Sequence, residues 1–460
     1  MRILVRSRKD ANAVKASIEK FAPGSLIKVE SMGGLRGGRL EEALLDTINP
    51  FSLILLGRSE SEVAEAIEEG LPPFSEVIVT KASKVRNNTI EAIYGYISKG
   101  RASIRLHTRW TGSSFRFARG KGIPLRDLPV HPQSDSFIVY NTGARLLSIF
   151  LVRSLGGVAL LFKRGGGRHL VYSGPEPIGE VVIDKGDRPP RASAYRRSKP
   201  FKSTLEEVVA ENSDVMKVLE EYSINLLMES EPEPDTVIVP WSGGKDSTAA
   251  LLLAVEAYGR DRVKAVYVDT GIDFIENLEY VEDVAGKLGV DLIVERADVD
   301  QGLLLEEMPM PDPEYRWCTG RKLEALRRGV RSLIKGNTII VAGDRDAESE
   351  KRAKRPLVRV DERLGLRVVS PLKLWSGSHV QTYILWKRYP LNKLYEAGFY
   401  RIGCYICFAL RGWELAVMRK TGVMRRIIEE RPSHKVLIDK FIELKRKGFG
   451  GDLGDCLCNA

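Results

Sequence analysis

The residues best suited to chemistry lie in one short stretch, Ser242–Ser247, which reads Ser-Gly-Gly-Lys-Asp-Ser. The β-branched run Val237–Val239 before it is typical of a buried parallel strand, and Ala249–Ala257 after it is apolar and helix-forming. A turn of small residues in front of a helix N-terminus directs backbone N–H groups at one point, an arrangement that binds phosphate oxygens. Lys245 adds a positive charge. The stretch therefore predicts a polyphosphate site.

The spacing of this loop differs from the Walker pattern, which places four residues between its first glycine and Gly-Lys. In its strand–turn–helix context the loop instead resembles the PP-loop of the ATP pyrophosphatases. That resemblance implies that the loop holds the pyrophosphate of ATP, with Mg²⁺ offsetting its charge, while the α-phosphate is attacked. The nucleotide-binding residues it implies here are Ser242, Gly243, Gly244, Lys245, Asp246 and Ser247.

Two more polar clusters follow apolar strands. Asp269-Thr270-Gly271 comes directly after the predicted strand Val263–Val268, and Gly343–Arg352 comes after Asn337–Ala342. Ligands of open α/β sheets bind outside the carboxyl ends of the strands. We therefore expect Asp269, Thr270 and Gly271 to lie where a ribose, an adenine edge or Mg²⁺ is held. In the second cluster, Arg345 and Arg352 could clamp phosphate or sulfate.

Taken in order, the motifs resemble the phosphoadenosine phosphosulfate (PAPS) reductase family over roughly residues 235–410. The resemblance implies an α/β fold of the adenine-nucleotide α-hydrolase type, a five-stranded parallel sheet wrapped by helices, and nucleotide contacts from Gly343, Arg345, Glu348, Ser349 and Arg352. The motifs that continue the match are Trp317-Cys318 with Arg321-Lys322, Ser370-Pro371-Leu372, Tyr389–Tyr395 and Gly403-Cys404-Tyr405-Ile406-Cys407.

The chain departs from that family at two places. Sulfonucleotide reductases usually have a degenerate loop without the Lys-Asp pair, so the intact loop favours cleavage of ATP between its α- and β-phosphates. Cluster-bearing reductases also carry a Cys-Cys pair where this chain has Trp317-Cys318. One expected thiolate is therefore absent.

All five cysteines lie after residue 317, which argues against a disulfide framework. The resemblance implies that Cys318, Cys404 and Cys407 come together and favours a four-iron, four-sulfur cluster, although a structural zinc or a dithiol redox pair fits the same residues. The remaining two, Cys456 and Cys458, are candidates for a metal ligand or a nucleophile, and an inert tail is the alternative.

Residues 101–200 hold 18 Lys and Arg against 6 Asp and Glu, whereas the rest of the chain holds 53 against 55. Such a basic block is typical of a surface that binds phosphate backbones, and a solvated surface of a heat-adapted protein is the alternative. Val158–Phe162 and His169–Tyr172 predict a hairpin with a basic, glycine-rich tip. Six aromatic residues could either stack on unpaired bases or pack in a core: Trp110, Phe115, Phe117, Tyr140, Tyr172 and Tyr195.

A chain of 460 residues is too long for one compact core. The composition predicts a small α/β domain over 1–100, a basic accessory domain over 101–200 that ends in a linker at 187–200, a catalytic domain over 201–410, and closing helices with the cysteine tail over 411–460. The histidines show no metal spacing, and His379 is expected in a core. No apolar run is long enough to cross a membrane and no leader precedes the first strand, so we expect a cytoplasmic location.

The function that these features favour is an ATP-dependent sulfur-transfer enzyme that adenylates and thiolates an RNA, with tRNA as the expected partner. The alternative is a sulfonucleotide reductase, in which a tail thiolate attacks PAPS or adenylyl sulfate, releases sulfite and is regenerated by a thioredoxin-like reductant. The predicted catalytic residues are Lys245, Arg345, Cys456 and Cys458.

Overall fold

The computed structural model describes residues 1–128, 130–183, 188–195 and 199–447. The N-terminal region is a parallel four-stranded sheet in the order β2-β1-β3-β4 with helices between its strands, as the alternating pattern predicts. Its strands are β1 (Arg2–Val5), β2 (Lys28–Ser31), β3 (Ser52–Leu56) and β4 (Glu76–Val79), and its helices are α1 (Arg8–Phe21), α2 (Gly38–Thr47), α3 (Ser61–Glu68) and α4 (Ile90–Leu106).

The basic segment forms a small three-stranded sheet and an antiparallel five-stranded sheet in the order β12-β11-β10-β9-β8. The predicted hairpin is confirmed as the antiparallel pair β9–β10. The strands are β5 (Arg109–Trp110), β6 (Phe115–Arg116), β7 (Ile123–Pro124), β8 (Asp135–Val139), β9 (Ala159–Gly165), β10 (Arg168–Tyr172), β11 (Pro177–Val182) and β12 (Arg191–Ala194), and the helix is α5 (Asn141–Leu151). We call the five-stranded sheet the accessory sheet.

The region that the sequence predicts to be catalytic, called the catalytic region below, is built around a six-stranded sheet in the order β15-β14-β13-β16-β18-β17. Five of the strands run parallel, and β17 adds an antiparallel strand at the edge, beyond the five that the sequence predicts. The strands are β13 (Thr236–Pro240), β14 (Val263–Asp269), β15 (Asp291–Arg296), β16 (Thr338–Val341), β17 (Val358–Asp361) and β18 (Leu366–Val369).

Helices cover both faces of this sheet and close the C-terminal side. They are α6 (Leu205–Glu211), α7 (Ser213–Ser230), α8 (Lys245–Tyr258), α9 (Ile275–Leu288), α10 (Val299–Leu304), α11 (Trp317–Leu333), α12 (Glu350–Lys354), α13 (Gly377–Trp386), α14 (Lys393–Ala397), α15 (Gly412–Lys420), α16 (Val423–Glu430) and α17 (Lys435–Lys447).

One continuous hydrophobic core runs through all three regions, because each sheet presents one face to it. Alternate strand residues point to opposite faces, so Ile3 and Val5 enter this core while Leu4 joins a smaller cluster on the other side. Direct polar contacts also cross the regions. The side chain of Gln381 on α13 pairs with both backbone groups of Ile138 on edge strand β8, at 2.8 and 3.0 Å. The accessory sheet is therefore fixed against the catalytic region.

Two expectations about local structure are corrected. Arg191–Ala194 lies in the predicted linker but forms β12, because its backbone pairs with β11. The sequence pattern predicts one helix over Trp413–Arg426, whereas the structure has two, α15 and α16, since Gly422 between them adopts a left-handed conformation with φ of 82°. Of the two alternatives for the six aromatics of the basic segment, packing in a core holds for five, which are buried, while Tyr195, at 36% exposure, reaches the surface.

Candidate active site

A cleft of about 620 Å³ lies beside the phosphate-loop candidate at the carboxyl ends of β13 and β16. Chain order reverses between these two neighbouring strands, with β14 on one side and β18 on the other, and α/β sheets bind ligands at such a switch point. Eight basic and five acidic residues line the cleft, which gives the wall a net charge of +3. The cleft therefore suits an anionic ligand with several phosphates.

The loop 242–247 is shaped by close backbone packing. Gly243 has a φ of 72°, which favours glycine, and its carbonyl accepts a hydrogen bond of 3.3 Å from Asn392 Nδ2. Gly343, at the end of β16, passes so close that a Cβ there would lie 2.7 Å from the carbonyl oxygen of Asp246. The hydroxyls of Ser242 and Ser247 lie 3.2 Å apart. The two loops that line the cleft are therefore packed against each other.

A buried chain of alternating charges runs from this loop to the accessory sheet. Lys245 Nζ lies 2.8 Å from Asp246 Oδ2, Asp246 Oδ1 lies 2.6 Å from Arg345 Nε, and Arg345 Nη1 lies 2.9 Å from Asp135 Oδ2. Asp135, the first residue of β8, also accepts a 2.8 Å hydrogen bond from the backbone N–H of Gly377. The predicted catalytic residues Lys245 and Arg345 are thus brought together and held by an acid from another region.

This charge chain sets the ionisation of its members. Burial alone would raise the pKa of Asp246, but the positive charges of Arg345 and Lys245 outweigh burial and hold that pKa below its usual value. Burial alone would lower the pKa of Arg345, but the negative charges of Asp135 and Asp246 outweigh burial and raise that pKa. Asp246 is therefore a carboxylate and Arg345 a cation throughout the neutral range.

The remaining predicted residues of the 343–352 loop form a second charged group. Arg352 pairs with Glu348 and lies 3.5 Å from Asp344, and the Ser349 hydroxyl caps α12 by accepting from the Arg352 N–H at 3.2 Å. Asp346, in the same loop, pairs with Arg101 of α4 at 2.6 Å and with Lys373 at 2.8 Å. A residue of the N-terminal region therefore also stabilises this loop. All four predicted residues after Gly343 line the cleft: Arg345, Glu348, Ser349 and Arg352.

The cluster after β14 is arranged differently. Asp269 Oδ2 lies 2.5 Å from Arg296, and its other oxygen accepts from the backbone N–H of Gly271 at 2.8 Å. Thr270 binds the carboxylate of Asp273 through both its N–H and its hydroxyl. Asp269, Thr270 and Gly271 are not among the residues that line the cleft. Their predicted contact with the nucleotide stays a prediction.

The described cysteines do not form a metal site on their own. Cys404 and Cys407 are buried, and Cys404 Sγ lies 3.6 Å from Asp273 Oδ1 and 3.8 Å from Thr270 Oγ1. Among the described residues, no group of three His, Cys, Asp or Glu side chains could hold a metal ion, and the predicted metal binding by Cys318, Cys404 and Cys407 stays a prediction. Cys456 and Cys458 lie outside the described residues.

The cleft residues that sequence reasoning missed include three from the accessory sheet, Asp135, Phe137 and Lys163. Lys245 Nζ lies 5.5 Å from the centre of the Phe137 ring and 5.8 Å from the centre of the Tyr395 ring. A signal existed for Asp135, which is one of only six acids in the basic segment and lies two residues before the apolar run Phe137–Tyr140. A buried acid in such a strand indicates a partner cation elsewhere in the chain.

In a comparison with known protein families, residues 236–410 match the phosphoadenosine phosphosulfate reductase domain. Two uncharacterised proteins of Methanocaldococcus jannaschii are similar. One is 35% identical over 40% of this chain and 38% of its own length. The other is 28% identical over 59% of this chain and 64% of its own length. An adenosine 5'-phosphosulfate reductase of Rhodococcus erythropolis is 30% identical over 34% of this chain and 63% of its own. The chain thus spans less than two thirds of each of these relatives.

Two solved structures are similar at low identity. A PAPS reductase from Candida auris in complex with phosphate is 19% identical and covers 43% of this chain and 96% of its own, with a TM-score of 0.34. An FMN adenylyltransferase from Candida glabrata in complex with ATP is 18% identical and covers 42% of this chain and 62% of its own, with a TM-score of 0.31. In the described part of the chain, no helix has the length and apolar character needed to cross a membrane.

Proposed function

Because residues 236–410 form a PAPS reductase domain, we propose that the chain is a PP-loop enzyme that binds ATP in the cleft and cleaves it to AMP and pyrophosphate for sulfur transfer to an RNA, with tRNA as the substrate. The observation that carries this proposal is the complete loop Ser242–Ser247, with Lys245 and Arg345 at the wall of a cleft of net positive charge.

The charge chain allows Lys245 to exchange its ion pair with Asp246 for a contact with a phosphate oxygen. Asp246 is paired with both Lys245 and Arg345, so Lys245 can turn to a phosphate oxygen while Arg345 still compensates the acid. An acceptor oxygen would attack the α-phosphorus, the bond to the β-phosphate would break, and Lys245 would stabilise the charge that develops on pyrophosphate. Mg²⁺ would neutralise part of the polyphosphate charge when bound.

The terminal sulfur of a persulfide on Cys456 or Cys458, loaded by a persulfide donor, would then attack the activated acceptor carbon and displace AMP. The other tail thiolate would attack the inner persulfide sulfur, which breaks the S–S bond, frees the thiolated acceptor and leaves a disulfide that an external thiol reduces. Cys404 and Cys407 are buried, and Cys404 contacts Asp273 and Thr270. Since the described cysteines do not form a metal site, the proposal contains no step through an iron–sulfur cluster. The RNA would be attracted by the basic segment, whose charge is +12 over residues 101–200.

The alternative is reduction of PAPS or adenylyl sulfate to sulfite by a tail thiolate, with a thioredoxin-like reductant. The specific observation in its favour is the similarity to the Rhodococcus erythropolis adenosine 5'-phosphosulfate reductase. The intact Lys-Asp pair of the loop and the basic segment have no role in that reaction.

Product analysis separates the two reactions. We expect release of AMP and pyrophosphate from ATP, stimulated by tRNA, and a loss of about 100-fold in that rate for Lys245→Gln, since removing one electrostatic contact to a developing charge costs roughly that factor. Lys287→Gln, on an exposed helix pair with Asp283, is the matched control. Sulfite release from PAPS or adenylyl sulfate, with no pyrophosphate from ATP, would overturn the proposal in favour of the alternative.

A further inference from the structure

Part of the cleft wall is built by two regions that are far apart in sequence. Lys163 comes from strand β9 of the accessory sheet, and Tyr400, Arg401 and Arg411 come from the segment between α14 and α15. The phosphate-loop residues line another part of the same cleft. Three positive charges from these two segments therefore face a space that is continuous with the proposed ATP site.

Tyr400 provides an independent sign of a ligand. Tyr400 is 7% exposed and lines the cleft, and the neighbour of its hydroxyl is the Arg411 guanidinium, which can only donate a hydrogen bond. Within the described ranges the hydroxyl proton has no acceptor. A buried donor is expected to meet an acceptor in the functional state. A phosphate oxygen that enters the cleft can accept from it.

The local charges favour an anion. Burial, together with the positive charges of Arg411 and Lys163, lowers the pKa of His169 to about 3, so this neighbour of Tyr400 is neutral. Glu414 is buried, which raises its pKa, and one of its oxygens accepts from the backbone N–H of Arg411 at 3.1 Å. Among the lining residues of β9 and of the segment between α14 and α15, three are basic and none is acidic.

We propose that Lys163, Arg401, Arg411 and the Tyr400 hydroxyl form a phosphate subsite for the acceptor substrate, between the accessory sheet and the PP-loop domain. The inference rests on the proposed function, because it places the acceptor beside ATP. The ligand chemistry is a phosphate group, which can come from an RNA backbone or from a small nucleotide such as a nucleoside 3',5'-bisphosphate. The accessory sheet would thereby select the substrate and not only attract it.

The test uses the full chain and measures binding of two probes, an unmodified tRNA transcript and adenosine 3',5'-bisphosphate, each in the presence and absence of a non-hydrolysable ATP analogue. The variants are Lys163→Gln, Arg411→Gln and Tyr400→Phe. Arg164→Gln is the matched control, because Arg164 is the next residue on β9, is exposed, and does not line the cleft.

We expect each of the two charge variants to weaken binding of one probe about tenfold, which corresponds to about 1.4 kcal/mol, since each variant loses one charge-assisted hydrogen bond to phosphate in a solvated cleft. Tyr400→Phe should weaken it about threefold. If tRNA is the affected probe, each charge variant should also lower the salt slope of binding by about one unit. Arg164→Gln should leave the affinity of both probes within a factor of two.

The outcomes for the subsite and for the proposed function are distinguishable. Unchanged affinity of both probes in folded Lys163→Gln and Arg411→Gln variants, or no binding of either probe to the unmodified protein, would overturn the subsite. Loss of the tRNA probe assigns the subsite to an RNA backbone, and loss of the bisphosphate assigns it to a small nucleotide. Binding of the ATP analogue, which should stay within a factor of two in these variants, reports separately on the phosphate loop.

Discussion

Two polar clusters lie at the carboxyl edge of the catalytic sheet, and they use their charges in different ways. The cluster after β13 and β16 lines an open cleft and is stabilised from outside the sheet, by Asp135 and Arg101. The cluster after β14 pairs Asp269 with Arg296 from the neighbouring strand β15. Position explains the difference, because only the first cluster lies where the chain order reverses and the crossovers leave a gap.

The comparison teaches that a polar loop after a parallel strand is not by itself a ligand site. What separates the two clusters is the source of their counter-charges. In the cleft they come from the accessory and N-terminal regions, so the site depends on the whole assembly. In the β14 cluster, Asp269 is paired with Arg296 of the adjacent strand, and Arg431, which follows α16, donates to the carbonyls of Gly271 and Asp273. The predictions that follow test this dependence, beginning with the largest expected effect.

Asp135→Ala should lower the free energy of unfolding by about 4 kcal/mol, because removing one partner of a buried ion pair leaves the other charge uncompensated. Both Asp135 and Arg345 are 2% exposed at the side chain. Urea unfolding measures the effect. The matched control is Glu176→Ala, whose partner Arg126 is exposed, and it should change stability by less than about 1 kcal/mol. Equal effects of the two substitutions would show that Asp135 does not stabilise the cleft.

His379 should make the contact between the regions sensitive to acid. It is fully buried on α13, where its Nδ1 accepts from the Ser376 N–H at 3.0 Å and its Nε2 lies 2.8 Å from the carbonyl of Phe117. Burial lowers its pKa to about 4. Because the folded state binds the proton less well than the unfolded state, stability is full above pH 6.5 and falls as the pH drops from 6.5 to about 4.

The size of this effect follows from the shift of the pKa, which corresponds to about 3 kcal/mol. His379→Gln should remove most of that dependence, so the difference in unfolding free energy between pH 7 and pH 4.5 becomes smaller than in the unmodified protein. His131→Gln, at an exposed position, is the control and should keep the full dependence. An unchanged dependence in His379→Gln would assign the acid sensitivity to other groups.

The sequence predicted the parts of this molecule that are specified locally. Strand β1 and the strand–turn–helix arrangement around Ser242–Ser247 follow from short apolar and small-residue patterns, and the structure confirms both. Trp110 and Phe115 show the limit of such patterns, because exposure of an aromatic residue depends on what packs over it. An aromatic in a basic segment therefore indicates RNA binding only where it remains at the surface.

The partners that the accessory residues of the cleft contact could not be predicted for the same reason. Asp135 and Arg345 are separated by 210 positions and meet only when the sheet of one region packs on the other. Lys163 is one of 18 basic residues in its segment, and nothing in the local sequence separates it from Arg164. Strand alternation after folding does separate them, since Lys163 lines the cleft and Arg164 is exposed.

Asp269→Asn gives the smallest expected effect and decides how far the two clusters differ. Asp269 is already engaged by Arg296 and by the backbone N–H of Gly271, so loss of its charge removes at most one contact to a nucleotide, worth about 1 kcal/mol. We expect the dissociation constant of ATP, measured by calorimetry, to rise about fivefold. Asp291→Asn, an exposed acid on β15 that pairs with Lys264, should leave it unchanged. A rise of less than twofold in the dissociation constant for Asp269→Asn would remove this residue from the nucleotide site. A rise as large as the one measured for Lys245→Gln in the same titration would mean that both clusters bind the same ligand.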